Sequence, residues 1–296
     1  LALAQTNWVV QALHGPNPRQ EFLVYPVKTL GDRVTDVPLS SFPSTGVFVK
    51  EFDRLLLDGT IDFAVHSLKD VPPEETPGTV LASFPQREDP TDALVSNDGR
   101  QLADLLGAAR LGTSSVRRQA QLRIARPDLD FRADLRGNVD TRLRKLRDGQ
   151  YDAIVLATAG LLRLGREAEI AERLPVEVCL PDAGQGTLVV QCRADDPAVL
   201  ELLASIDDPG VRAVSLAERA VLAVFGGGCK VPVAAFAELV ADRLIIRGIV
   251  ARPDGSAIVR ARREGPRGDP VQLGEALWRD LDAAGARSIL DGTNGQ

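Results

Sequence analysis

Methionine is absent from all 296 residues, cysteine occurs three times, histidine twice, and aromatic residues make up 4% of the chain. Without methionine, Leu1 is not an initiator residue, and further residues are expected upstream of it. The odd trio Cys179, Cys192 and Cys229 makes no disulfide framework, which fits a reducing, cytoplasmic setting. Two distant histidines and three scattered cysteines give no metal-ligand spacing, so no metal is expected. No apolar run is long enough to cross a bilayer, and no stretch has the basic start, apolar middle and small-residue cleavage site of a signal peptide. Positive net charge is missing too: 35 Lys and Arg face 41 Asp and Glu, a formal net of −6. That balance argues against a nucleic-acid binder and leaves any anion affinity to arginines gathered locally. The expectation is a monomer with a small-molecule partner, no nucleic acid and no membrane.

What is present is ordinary for a soluble globular chain, 44% hydrophobic and 26% charged, with length for two or three domains. Periodicity and breakers predict a helix over 1–13 stopping at Gly15-Pro16, a strand over 22–27, a helix over 48–57 and a strand over 61–65. Strands at 79–82 and 93–95 flank the turn-rich Arg87-Glu88-Asp89-Pro90, a crossing between domains. From Leu102 helix and strand alternate: helix 102–106, strand 109–112, a helix after Ser115, strand 129–133, a helix to Arg147, strand 153–157. Such alternation predicts a parallel sheet with helices on both faces and ligands beyond the carboxyl ends of the strands. After a strand at 188–192 and helices at 197–204 and 211–225, strand-like runs at 234–239, 244–250 and 257–262 with a helix at 271–284 predict a small α+β unit.

The unusual residues gather at strand ends. Gly112 allows a turn, Thr113, Ser114 or Ser115 can cap the following helix, and Arg117 and Arg118 add planar donors suited to carboxylate or phosphate. Asn138 caps a second helix with Arg136 and Arg142 beside its start, whereas Arg144, Lys145 and Arg147 read as a solvated face. Asp70, after Lys69, reads either as an ion-paired scaffold or as a carboxylate that stabilises a cation or handles a proton. His66 reads as a core residue. Cys179 and Cys192, among apolar neighbours, read as buried and inert. Cys229 differs: it follows three glycines and precedes Lys230, so its thiol can be a nucleophile or an attachment point.

Seven stretches, in order, are similar to the porphobilinogen deaminase family: VHSLKDVP at 65–72, REDPTDALVS at 87–96, GTSSVRRQ at 112–119, LRGNVDTRL at 135–143, DAIVLATAGLLRLG at 152–165, AGQGTL at 183–188 and GGGCKVP at 226–232. The resemblance implies two α/β domains like the halves of periplasmic binding proteins, hinged about a cleft, with a small C-terminal α+β domain: 1–86 with 185–205, then 91–182, then 209–296. It implies a dipyrromethane cofactor held by a thioether to Cys229, and Asp70 near the pyrrole nitrogens. It implies that Arg117, Arg118, Arg136, Arg142 and Arg163 bind acetate and propionate side chains, and that Ser67, Lys69, Thr113 and Ser115 add cofactor contacts. Gln5 and Gln185 are further substrate-binding candidates. The implied activity is condensation of four porphobilinogen molecules with loss of ammonia. Two features depart from the family: its arginine- and serine-bearing first strand has no counterpart before Leu1, and its mobile glycine- and lysine-bearing loop is here Ser41-Phe42-Pro43-Ser44-Thr45-Gly46. The competing reading is a non-catalytic two-domain module that captures carboxylates or phosphates.

Overall fold

The computed structural model describes residues 1–27, 49–225 and 232–291. Cys229 and the loop at 41–46 therefore lie outside the described residues.

The first sheet has strand order β1-β8-β2, with β1 Phe63–Ser67, β2 Thr79–Ser83 and β8 Leu188–Arg193. The central β8 runs antiparallel to both neighbours, with Phe63 opposite Cys192 and Ser67 opposite Leu188. Helix α1, Ala2–His14, lays Val9 and Leu13 on Leu188, Val190 and Cys192, a spacing of four that repeats one helical face. Its buried face is Gln5, Val9 and Leu13, while Leu1 and Trp8 are exposed. Helix α2, Lys50–Leu57, covers the sheet from another side with buried Leu55 and Leu56. The strand expected at 22–27 is not formed. Leu23 is 97% exposed, and no described strand lies alongside to complete a ladder, so its apolar run stays extended chain.

The second sheet has order β5-β4-β6-β3-β7, with β3 Asp92–Ser96, β4 Arg110–Gly112, β5 Asp130–Arg132, β6 Ala153–Ala157 and β7 Glu172–Leu174. Only the β5-β4-β6 part is parallel; β3 runs antiparallel to β6 and β7. The strands of the alternation expected from Leu102 onward, β4, β5 and β6, are parallel as expected, and β3 and β7 lie outside that alternation. Parallel neighbours need crossover helices, which α3 Val116–Ala125 and α4 Val139–Arg147 supply, whereas β3 enters from the first sheet in the opposite sense. Alternate residues face two cores: Leu94, Leu111 and Val155 on one side, Val95, Ile154 and Leu156 on the other.

Two segments join these sheets, from β2 to β3 and from β7 to β8, and they touch. Glu88 N donates to Gly186 O at 3.1 Å and Arg87 Nε to Gln185 O at 2.9 Å. The approach requires glycine, since Gly186 has φ +86° and a Cβ there would lie 2.4 Å from the Glu88 carbonyl oxygen.

The third unit is an antiparallel meander, β11-β10-β9, of β9 Val233–Val240, β10 Arg243–Ala251 and β11 Ile258–Pro266. It packs on helices that we number, with the intervening ones, α5 Thr158–Arg163, α6 Pro197–Ala204, α7 Pro209–Phe225, α8 Pro270–Ala283 and α9 Ala286–Asp291. Glu218 of α7 ties this unit to the joining segments. Its carboxylate accepts from Arg87 at 2.8 and 3.2 Å, from Gly184 N at 2.6 Å and from Ala237 N at 2.8 Å. Arg219 next to it donates to the carbonyls of Val71, Pro72 and Pro73, so the unit also grips the chain just beyond Asp70. Among the described residues no helix is long and apolar enough to cross a membrane.

Candidate active site

The end of β1 passes directly into one 3-10 turn, Leu68–Asp70, which the prolines at 72 and 73 keep from extending. Leu68 is buried, which turns Lys69 and Asp70 outward. Asp70 is exposed, yet burial pushes its carboxyl above the usual carboxylate range; Lys69 pulls it back and Asp182 pushes it further up. Lys69 Nζ donates to Gln185 Oε1 at 3.3 Å, and burial lowers its pKa against the opposing pull of Asp70. Ser67 Oγ accepts from Gln5 Nε2 at 2.9 Å, fastening α1 to the same strand end. His66 is buried and bonded to Gln191 at 2.9 Å, the core role expected of it.

In the second sheet, β4 ends at Gly112 and the chain turns through Thr113, whose Oγ1 accepts from Ser115 N at 3.3 Å. Ser115 caps α3, accepting from Arg118 N at 3.4 Å. Thr113 is buried and Ser115 half-buried. Arg117 and Arg118 differ from the free donors expected from the sequence. Both are buried around Asp92, which is 0% exposed: Arg117 Nη1 lies 2.8 Å and Arg118 Nη2 2.7 Å from its oxygens. Arg117 Nη1 also donates to Leu180 O at 2.6 Å and Arg118 Nη1 to Val155 O at 3.0 Å. The physical reason is that two cations on one buried helix face need a counter-charge, and Asp92 on β3 supplies it. Cys179 and Cys192 are buried as expected, and burial pushes both thiols up, Cys192 to about 11.

The second arginine loop is open. Gly137 at φ +107° leads into Asn138, whose Oδ1 accepts from Thr141 N at 2.9 Å and caps α4. A Cβ at 137 would lie 2.7 Å from Thr141 Cγ2, so the turn requires glycine. Tyr151 Oη donates to Asp134 Oδ1 at 3.0 Å and steadies this loop from below. Arg136 is exposed, and among the described residues no hydrogen bond or ion pair engages it. Arg142 spends only Nε, on Gly137 O at 2.7 Å. Burial first, then the neighbouring Arg118 and Arg136, lower the Arg142 pKa. Three guanidiniums thus crowd together, and among the described residues Arg136 and Arg142 have no carboxylate within ion-pair distance. Such a field is relieved by an anionic ligand, which α4's free N–H groups also favour.

Arg163 of α5 donates to Gly186 O at 2.7 Å and senses Glu88, which puts it beside the joining segments. Gln185 is fully buried, with Nε2 on Pro90 O at 2.7 Å and Asp92 Oδ1 at 2.9 Å. It is a link between the two sheets, and its side chain has no amide left open for a substrate. Sequence reasoning missed Asp92 and Asp182. The only signal was position, inside the quoted REDPTDALVS stretch and one residue before AGQGTL.

A family model described as porphobilinogen deaminase, dipyromethane cofactor binding domain, matches residues 1–201, and one described as porphobilinogen deaminase, C-terminal domain, matches residues 213–283. The chain belongs to the porphobilinogen deaminase family. The porphobilinogen deaminase of Roseiflexus castenholzii (strain DSM 13941 / HLO8) is 50% identical over 292 residues, 99% of this chain and 96% of that protein. That of Brevibacillus brevis (strain 47 / JCM 6285 / NBRC 100599) is 46% identical over 291 residues, 98% of this chain and 93% of that one. Among solved structures, the Bordetella pertussis BvgS VFT2 domain, a double mutant, is 16% identical over 68% of this chain and 76% of its own, with a TM-score of 0.39. Every described site residue above falls in the family's cofactor-binding domain, and Cys229 falls in the C-terminal one. The donor set fits a dipyrromethane: unneutralised Arg136 and Arg142 suit its carboxylates, and the open Asp70 carboxyl suits its pyrrole N–H groups.

Proposed function

We propose that this chain is a hydroxymethylbilane synthase, a transferase of tetrapyrrole biosynthesis. In this reading it joins four porphobilinogen molecules head to tail, releasing four ammonia, and takes up one water when the product leaves. The observation that carries it is the pairing of an open carboxyl, Asp70, with the unneutralised guanidiniums of Arg136 and Arg142 about Arg118 and Lys69, in a chain of this family.

Each residue has work that its chemistry suits. Arg136 and Arg142 grip acetate and propionate groups, those of the dipyrromethane and of the porphobilinogen that joins it, through charge-assisted, two-point hydrogen bonds. The first turn of α4 adds backbone donors. Loss of ammonia leaves positive charge on the substrate pyrrole nitrogen, and an ionised Asp70 stabilises it where water is largely displaced. Its upward-shifted pKa also suits it to take the proton released after coupling and to hand it on. Arg117 and Arg118 act through charge and shape, since Asp92 takes the donors that face it. When bound, the dipyrromethane supplies the nucleophilic pyrrole carbon from which the chain of units is built.

The same reading has Cys229 holding that cofactor by a thioether, Ser67, Lys69, Thr113, Ser115, Arg117 and Arg118 around it, and Arg163 and Gln5 towards the substrate. It takes 1–86 with 185–205, 91–182 and 209–296 as domains, in keeping with the three sheets, and has the enzyme a cytoplasmic monomer. Intact-protein mass spectrometry tests it first. A covalent dipyrromethane adds its mass, and Cys229→Ser abolishes the addition; an unmodified protein that binds porphobilinogen without releasing ammonia would instead be a carboxylate-capturing module.

A further inference from the structure

Asp182 has no role in the resemblance or in the mechanism above, yet its position is tightly set. Two residues before it, Leu180 is pinned on both sides: its carbonyl receives Arg117 Nη1 at 2.6 Å and its N–H donates to Gln121 Oε1 at 2.7 Å. Three residues after it, Gln185 N closes a turn on the Asp182 carbonyl at 3.0 Å, and the Gln185 side chain receives Lys69 Nζ. The turn therefore hangs Asp182 between the Lys69–Asp70 turn of the first sheet and α3 of the second. The residue is half-buried, and among the described residues its carboxylate has no hydrogen bond and no ion pair. Its charge is felt by Lys69, Asp70 and Arg117 alike.

The surroundings of Lys69 explain why a carboxylate belongs there. The anions that face Lys69 are Asp70, Asp182 and Asp92, and Asp92 is already engaged by Arg117 and Arg118. Without Asp182, Asp70 stays committed to Lys69. We propose that Asp182 is a positioning residue of this centre: it balances Lys69 and so leaves the Asp70 carboxylate free to face the cation formed when porphobilinogen loses ammonia. This rests on the hydroxymethylbilane synthase reading.

The groups that face Asp70 are Lys69 and Asp182, and those that face Lys69 are Asp70, Arg118, Asp182 and Asp92. Removing the Asp182 charge therefore moves the Asp70 titration to lower pH. The test compares the cofactor-bearing wild type with Asp182→Asn, using ammonia release from porphobilinogen and the Asp70 carboxyl followed by 13C NMR across pH. The expected result is kcat lower by about tenfold, the order for one unit charge acting across a cleft. KM should stay within about twofold, because the arginine loops are untouched, and the Asp70 midpoint should fall. Asp182→Glu should recover most of the rate, and Asp182→Ser repeats the loss if the amide disturbs the turn. An unmoved midpoint, an unchanged kcat, or no recovery with glutamate overturns the proposal. If the wild type itself releases no ammonia, the functional reading fails, while the midpoint comparison still decides whether Asp182 acts on Asp70.

Discussion

Replacing Asp92 by asparagine keeps the shape of the side chain and removes the charge around which the second sheet meets its first helix. The carboxylate is wholly buried and accepts from Arg117 at 2.8 and 3.3 Å, from Arg118 at 3.0 and 2.7 Å, from Gln185 at 2.9 Å and from Cys179 Sγ at 3.2 Å. Asp92→Asn leaves two buried guanidiniums without a counter-ion and turns one acceptor into a donor facing donors. Removing one partner of a buried pair costs about 3–5 kcal/mol, a large share of the ~5–15 kcal/mol that holds a typical domain folded. Hydrogen exchange of peptides covering β3 and β6 reads this unit alone, and the loss corresponds to exchange faster by roughly 100-fold to several thousand-fold. The pH dependence carries a sign. Burial pushes the Asp92 carboxyl up, but Arg117 and Arg118 more than reverse this and hold it far below the usual value of 3.8. A depressed folded pKa contributes stability in full above 3.8 and loses it only as pH falls through the folded value. The gap between wild type and Asp92→Asn should therefore be constant from neutral pH down to about that point and close only in stronger acid. Exchange within about fivefold of wild type at neutral pH, on the order of 1 kcal/mol, would refute the claim that this carboxylate holds the arginines in place.

Other outcomes follow from the same geometry. Asp70→Asn should keep porphobilinogen binding and lose at least about 100-fold in ammonia release, as expected for removal of a charge that faces the developing cation. Because the Asp70 pKa is raised above 3.8 and the ionised form is the active one, the acid limb of wild-type kcat/KM should lie above that value and disappear in the variant. Arg142→Ala should raise KM about 10- to 100-fold, the worth of a charge-assisted hydrogen bond of ~1.5–3 kcal/mol, with melting temperature nearly unchanged; steady-state kinetics beside a thermal melt checks both. Glu218→Gln should loosen the third unit selectively, since four donors lose a common anion, and exchange of α7 and β9 peptides should rise well before that of β4 and β6.

Much of the local structure was legible in order along the chain. Period and breakers locate most helices and strands, and the caps at Ser115 and Asn138 fall where hydroxyl and amide precede helical runs. The candidate residues sat at strand ends, as open α/β sheets place them. The strand expected at 22–27 failed because apolar residues make a strand only where a neighbour supplies hydrogen bonds, and alternation within one segment carries no information about that neighbour. The direction of β3 escaped for a similar reason: it depends on the path taken between two sheets.

By itself the sequence determined the local periodicities, the helix starts, the placing of glycines and prolines at turns, and the ordered motifs of the family. Those properties live within a few residues of one another and need no partner. Tertiary structure alone decided which cations are already spent. Arg117 and Arg118 are identical in type to Arg136 and Arg142, but Asp92, distant in sequence, engages the first pair, and among the described residues no carboxylate within ion-pair distance neutralises the second. It also brought Asp182 to Lys69 and Asp70. Charge acts through space over several ångströms regardless of sequence separation, so the balance of a site exists only once the chain has closed around it.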